Sequence, residues 1–384
     1  MKKYIFITNS IKPTSEKAES LENIVLDNVS EPCIKKALSL GYDVYLGVNR
    51  ANPEKLKCNE YPIKFYDSHT YRNIFAIKDN LIAYKNLCKL LRSGDVDVIH
   101  CNTPIGGLIG RICGKKYRVR KIIYTVHGFH FYKGAPLLNN TVFKCIEKIM
   151  ARWTDVIITI NSEDFHSAKK FRLKEGGNVY QIHGVGIDTA AFSNFVLNKN
   201  EYRKTLNLDD QDFVCIVTGR LDKNKNIDVC LKAISKCSNS RIHFLICGEG
   251  GERDSLKRLA QNLNIENQIH FLGYRKDIKE LLAIADCFLF SSKREGLSRS
   301  IMEAMASGLP CIVSDIKGNV DLIENSKGGY LIKNEDDYSI KINELYLDRE
   351  KCKIMGSYNK IKVKGFDQET VYKEISDIYN LELM

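Results

Sequence analysis

Two short stretches carry residue types that would work together on one kind of ligand. In "VTGRLDKNKN", Arg220 and Lys225 follow an apolar run that ends at Gly219. A guanidinium fork and a compact ammonium beyond the carboxyl end of a strand suit a phosphate or diphosphate. In "REGLSRSIMEAMASGLP", residues 294–310, Glu295 precedes a helical pattern and Glu303 lies inside it. The backbone N–H groups of Gly296, Leu297 and Ser298 are expected to point from the start of that helix, a cradle for an anion or a hydroxyl. Glu303 is placed to accept from a ribose diol, and Glu295 stands where a sugar's hydroxyls would lie. The pattern is that of a site for a sugar nucleotide.

Two further turns belong with these. "LICGEGGERDSL" leads from an apolar run into Gly248, Gly250 and Gly251. Its backbone either approaches a ligand or closes a tight turn before a helix. "HFLGYRKDI" ends another run at Gly273, and with Tyr274 and Arg275 it offers backbone against which a flat base could lie; Ile278 opens the next helix. Asp277 reads equally well as an ordinary N-cap.

Such residues must be presented by strands that end at a common edge. "YIFIT", "DVYLGV", "DVIHC", "KIIYTVHG", "DVIITI" and "NVYQIH" read as strands, with helix-length segments such as 76–91 and 143–152 between them. A second series follows: "DFVCIVTG", "IHFLICGEG", "IHFLG", "CFLFSS", "PCIVSD" and "GGYLI". This alternation predicts an α/β protein of two tandem Rossmann-like, doubly wound parallel-sheet domains facing a cleft. The boundaries expected are 1–185, 186–365, and a closing helix in 366–384 that crosses back to the first domain. Ligands in such sheets bind beyond the carboxyl ends of the strands.

Composition narrows the classes. Residues 1–185 carry 29 Lys and Arg against 17 Asp and Glu, and residues 186–384 carry 29 against 30, so the first half holds the whole excess of the +11 charge. A one-sided basic surface implies an anionic partner or a merely solvated face. No apolar run approaches the ~20 residues of a membrane span. The apolar part of "MKKYIFITNS" is too short for a signal peptide and reads as a buried strand. The 13 cysteines are dispersed without a Cys-x-x-Cys pair, which predicts reduced, buried thiols in a cytoplasmic protein. His127 and His130 form a His-x-x-His pair without a third ligand nearby, and Asp95 and Asp97 precede their strand, so no metal site and no cofactor is expected.

"EGLSRSIMEAMASGLP", taken with Arg220, Lys225 and the 273–275 loop in that order, resembles glycosyltransferase family 4, retaining nucleotide-sugar transferases of GT-B fold. The resemblance implies that Arg220 and Lys225 hold the donor diphosphate, Glu295 contacts the donor sugar, Glu303 holds the ribose and the 273–275 loop holds the base. In "TVHGFHFYKGAP", it implies that His127 contacts the donor sugar near the reacting carbon. "HGFHFYKGAP" and "DVIHCNTPIGGLIGR" resemble a subgroup that builds bacterial capsule, exopolysaccharide or O-antigen units. Two departures stand out. "TNSIKPTSEKAES" lacks the Gly-Gly loop of many members, and Ser298-Arg299 replaces an apolar pair.

The function expected is transfer of a sugar from a nucleotide diphosphate sugar, with UDP the expected nucleotide, to a hydroxyl of a polyprenyl-diphosphate-linked glycan. The alternatives are a UDP-sugar epimerase of the same architecture or a non-catalytic sugar-nucleotide scaffold. The partners expected are that donor, that lipid-linked acceptor and an anionic membrane surface on the cytoplasmic side, with no nucleic acid. "APLLNNTVFKCIEKIMARW" is the expected membrane-contact helix, with Val142, Phe143, Ile146, Ile149 and Trp153 on one side, or else an amphipathic helix facing the core.

Overall fold

The computed structural model describes residues 2–8, 23–49, 52–70, 76–195, 197–237 and 239–384. The chain divides into two compact units, Met1–Val185 with Glu369–Met384, and Gly186–Gln368. In the first, the strands are β1 (Lys3–Ile7), β2 (Asp43–Val48), β3 (Lys64–Asp67), β4 (Val98–Cys101), β5 (Lys121–Val126), β6 (Val156–Thr159) and β7 (Asn178–Gln181). They form one parallel sheet in the order β3-β2-β1-β4-β5-β6-β7. The helices are α1 (Glu31–Ser39), α2 (Ile77–Arg92), α3 (Pro104–Lys116), α4 (Lys144–Ala151) and α5 (Ser162–Ala168).

Strand order and the right-handed crossover rule fix where those helices go. The connection from β1 to β2 runs one way along the sheet, and those from β3 to β4 and onward run the other way. So α1 covers one face, and α2, α3, α4 and α5 cover the opposite one. Packing agrees: Ile5, Ile7, Ile99, Cys101, Ile122 and Tyr124 share a core with Ala83, Leu87, Ile109 and Cys113 of α2 and α3. The alternate residues Tyr4 and His100 turn the other way and bond to Tyr379: the Tyr379 hydroxyl lies 2.5 Å from that of Tyr4 and 2.6 Å from His100 Nδ1. The glycines of "GGLIGRICG" let α3 lie close on the sheet, since a Cβ on Gly110 would stand 2.3 Å from Cys101 Sγ. Arg111, fully buried, then ties α3 to α4 through two bonds to Glu147, 2.8 and 3.2 Å, with its guanidinium over the Tyr124 ring.

The second unit opens with α6 (Thr189–Ser193) and α7 (Lys199–Thr205). Its strands are β8 (Phe213–Thr218), β9 (Ile242–Cys247), β10 (Ile269–Gly273), β11 (Cys287–Phe290), β12 (Cys311–Ser314) and β13 (Gly329–Ile332). They too are all parallel, in the order β10-β9-β8-β11-β12-β13. Between and after them run α8 (Ile227–Lys236), α9 (Arg253–Asn262), α10 (Ile278–Ile284), α11 (Arg299–Ala306), α12 (Asn319–Leu322), α13 (Asp337–Leu347) and α14 (Arg349–Lys362). β8 and β11 are buried at every residue, as strands covered on both faces must be. The last helix, α15 (Gln368–Leu383), belongs from Glu369 onward to the first unit. All the expected strands are present; β3 was not expected. The glycine-free stretch after β1 lies outside the described residues beyond Thr8.

Candidate active site

The order of the second sheet reverses between β8 and β11, and their carboxyl ends lie side by side. Such a switch point leaves a crevice between the loops of adjacent strands. A hollow of about 470 Å³ sits there, lined by Thr218, Gly219, Arg220, Lys225, Glu295, Leu297, Ser298, Arg299, Ser300 and Glu303. The loops after β8 and β11 are zipped together: Lys293 N donates to Asn224 O at 2.8 Å, and Asn224 Nδ2 donates to Arg294 O at 3.0 Å.

Lys225 Nζ donates to Glu295 Oε1 at 2.8 Å and lies 4.5 Å from the Phe290 ring centroid. Both side chains are less than one-fifth exposed. The ammonium has three N–H donors, so one bond to Glu295 leaves two for other acceptors. Arg220, by contrast, has its side chain 80% exposed, with only a 3.8 Å approach to Asp222. Of the three cations that line the hollow, Lys225 is thus fixed, while Arg220 and Arg299 are exposed.

The helix that closes the hollow begins at Arg299, directly after the 295–298 loop, as the sequence suggested. Ser298 is the N-cap of α11, its Oγ accepting from Ile301 N and lying 2.9 Å from Ser300 Oγ. With Ile301 N taken by the cap, the N–H groups that the helix start leaves without an intrahelical partner are those of Ser298, Arg299 and Ser300; Gly296 and Leu297 precede it. This first turn still presents donors and the positive end of the helix dipole to the hollow. Glu303 stands just inside the helix. Burial raises its carboxyl above the usual range, opposed by nearby Arg299. A half-buried carboxyl facing a hollow is suited to receive hydroxyl donors.

The glycine turn supports this site from beneath. Gly248 presses on the loop after β8 so closely that a Cβ there would lie 1.7 Å from Gly219 O. Gly248 N donates to Gly273 O at 2.8 Å, which links the ends of β9 and β10. Gly273 has φ +68°, a conformation that glycine adopts without strain. Tyr274 is 76% exposed. Asp277 flanks α10 but makes no capping bond; its carboxylate grips Arg275 and the Tyr202 hydroxyl and is held down to about 2 by those partners, Arg275 first. Ile278 packs against the core of the second unit.

Of the residues read from the sequence, Gly219, Arg220, Lys225, Glu295, Leu297, Ser298 and Glu303 line the one hollow. Gly248, Gly273, Tyr274, Arg275, Ile278 and Gly296 lie outside its lining. His127 belongs to the first unit, at the carboxyl end of β5, with Nε2 2.8 Å from Asn102 Oδ1. Thr218 and Ser300 line the hollow and were not anticipated, nor was Arg299 read as a site residue. The signal for Ser300 was the Ser298 cap, which places Arg299 and Ser300 in the first helical turn. Asp97 accepts from Lys3 N at 2.9 Å at the amino edge of the first sheet. No cluster of three metal-ligating side chains occurs among the described residues.

Comparison with known proteins gives the family and the fold. Residues 198–362 match the family described as glycosyl transferases group 1, and residues 27–161 match the family described as glycosyl transferase 4-like. A Bacillus subtilis protein, EpsD, named as a glycosyltransferase, is 32% identical over 78% of this chain and 81% of its own length. The UDP-Gal:alpha-D-GlcNAc-diphosphoundecaprenol alpha-1,3-galactosyltransferase of Escherichia coli is 30% identical over 88% of this chain and 89% of its own. In fold, the crystal structure of Anabaena HepE in complex with UDP and glucose superposes with a TM-score of 0.74, at 20% identity, over 99% of this chain and all of that one. On this likeness the two doubly wound units have the GT-B fold, and the chain belongs to the group 1 glycosyl transferases.

Proposed function

We propose that this glycosyltransferase moves a sugar, with retention of configuration, from a UDP-sugar to a hydroxyl of a polyprenyl-diphosphate-linked glycan bound for the bacterial surface. The observation that carries the reading is the convergence of Arg220, Lys225, Glu295, Glu303 and the start of α11 on one hollow. The name of the Escherichia coli relative, which specifies a UDP-Gal donor and a diphosphoundecaprenol acceptor, supports both substrate classes.

In this reading residues 186–365 hold the donor and residues 1–185 meet the acceptor. Arg220, Lys225 and the N–H groups of Arg299 and Ser300 take the diphosphate. Glu303 takes the ribose diol, Glu295 the donor sugar, and the 273–275 loop the base. His127 contacts the sugar near the reacting carbon, as the resemblance implies. The bond from the anomeric carbon to the diphosphate oxygen breaks, and the acceptor oxygen forms its bond on the same face. The acceptor proton passes to the departing diphosphate, and the fixed cations and amides stabilise the charge that grows there. The chemistry needs neither a protein nucleophile nor a metal, and it is sited on the cytoplasmic face of the membrane.

A screen of UDP-sugars for UDP release with a lipid-linked acceptor fraction tests the activity, and NMR of the product tests the stereochemistry. Release that needs acceptor, with the anomeric configuration kept, is expected. Isomerisation of the UDP-sugar without acceptor, or an inverted product, refutes the reading.

A further inference from the structure

We propose that the layer made by α2, α3 and α4 is a docking surface for an anionic lipid bilayer. This names the partner surface of an enzyme whose acceptor is lipid-linked, and for that purpose it rests on the reading above; its geometry stands apart from the hollow. Residues 76–92, 104–118 and 133–153 carry twelve Lys and Arg against two acids. Both acids are already engaged: Glu147 by buried Arg111, and Asp79 by His69 Nε2 at 3.0 Å. On the opposite face of the same sheet, Glu369–Met384 holds four acids and a single Lys. With Glu31, Lys35 and Lys36 of α1 that face carries five acids against three Lys, so the net positive charge of these helical layers lies on the α2–α4 side.

That charge is interleaved with unpartnered aliphatic side chains. Leu137 is 83% exposed, Leu138 62% and Ile77 70%, and Leu81, Val142 and Ile149 are also exposed. Helical spacing merges the two kinds. Leu81, Lys85 and Lys89 follow one exposed stripe of α2, and Lys148, Ile149 and Arg152 share one at α4. Of the residues expected on this surface, Val142 and Ile149 are exposed, whereas Phe143, Ile146 and Trp153 are half-buried; Leu137 and Leu138, at the start of the same segment, are the more exposed. A solvated basic face has no use for bare leucines, and a phosphate backbone does not reward them. A bilayer takes aliphatic tips at the acyl boundary and Lys or Arg at the level of its phosphates. No helix among the described residues is long and apolar enough to cross a membrane, so the contact is peripheral.

The test is co-sedimentation of the full chain with neutral phosphatidylcholine vesicles and with vesicles also containing phosphatidylglycerol. Binding to the anionic vesicles alone, weakened by salt, is expected. The variant Lys85→Ala/Lys89→Ala/Lys148→Ala/Arg152→Ala should lose binding by more than a hundredfold, at roughly fivefold per cation. Leu137→Ser/Leu138→Ser should lose roughly tenfold through apolar contact. Negligible or equal binding to both vesicles, wild-type binding by the quadruple variant, a dimer that the leucine variant dissolves, or tighter binding to duplex DNA than to vesicles overturns the proposal. UDP titration of the same samples separates the two readings. UDP binding without vesicle binding sinks this inference alone, and vesicle binding without UDP binding sinks the donor site alone.

Discussion

Replacing Lys225 by alanine separates the two things that its ammonium can do. It neutralises Glu295 at 2.8 Å, and in the proposed reaction it stabilises charge on the leaving diphosphate. A unit charge about 4 Å from another, at an effective dielectric near 20, is worth about 4 kcal/mol. Losing a donor aimed at developing charge costs on the order of 10²–10³ in rate. Lys225→Ala should therefore lower kcat by about that factor at saturating donor. It also leaves the carboxylate of Glu295 bare beside an anionic ligand, which alone would weaken donor binding. The double variant Lys225→Ala/Glu295→Gln removes that repulsion. If Lys225 acts on the diphosphate, KM recovers in the double variant and kcat does not. The assay is UDP release with the lipid-linked acceptor fraction. A kcat within threefold of wild type for Lys225→Ala, or full recovery in the double variant, would refute the catalytic role.

Other outcomes follow from the same geometry. Burial raises the Glu303 carboxyl above its unfolded value, so the stability it contributes is present below the ordinary glutamate range and lost as pH rises through the raised value. Glu303→Gln should therefore raise the Tm of the ligand-free protein near pH 8, with the gain vanishing near pH 4, while UDP affinity drops roughly tenfold as a hydrogen bond to a charged acceptor is weakened. Gly248→Ala should abolish UDP binding by displacing the loop after β8, whereas Gly251→Ala, whose Cβ would meet nothing within 4 Å, should bind normally in the same titration. Arg111→Ala should destabilise the first unit by about 3 kcal/mol in urea unfolding, with part regained in Arg111→Ala/Glu147→Ala. His100 is held down to about 3 by burial, so stability should fall as pH drops from 6.5 toward that value; His100→Gln should flatten this limb in urea titrations.

The alternation of apolar runs made both sheets legible, because strands buried on two faces read as continuous apolar segments whatever their neighbours. β3 escaped for the converse reason. "KFYD" is an edge strand with only Tyr66 buried, and its sequence has no apolar run to mark it. The individual site residues were legible as types suited to anions and hydroxyls. What local pattern did not encode was their meeting. Lys225 and Glu295 are 70 residues apart and join only because β11 pairs with β8 rather than with its sequence neighbour β10. The start of α11 after the 295–298 loop was legible, but the Ser298 cap extends the free amides of its first turn to Arg299 and Ser300, which the glycine loop did not suggest. The surface of α2–α4 was half visible: charge was countable, but exposure depends on which residues α3 and α4 cover.

The central claim is that the hollow between the ends of β8 and β11 receives the donor diphosphate. A crystal structure of the chain grown with UDP tests it most directly. The account predicts phosphate oxygens at about 3 Å from Lys225 Nζ, Arg220 and the N–H groups of Arg299 and Ser300, with the ribose hydroxyls on Glu303. Nucleotide bound elsewhere, or diphosphate density that leaves Lys225 and the start of α11 untouched, would contradict it.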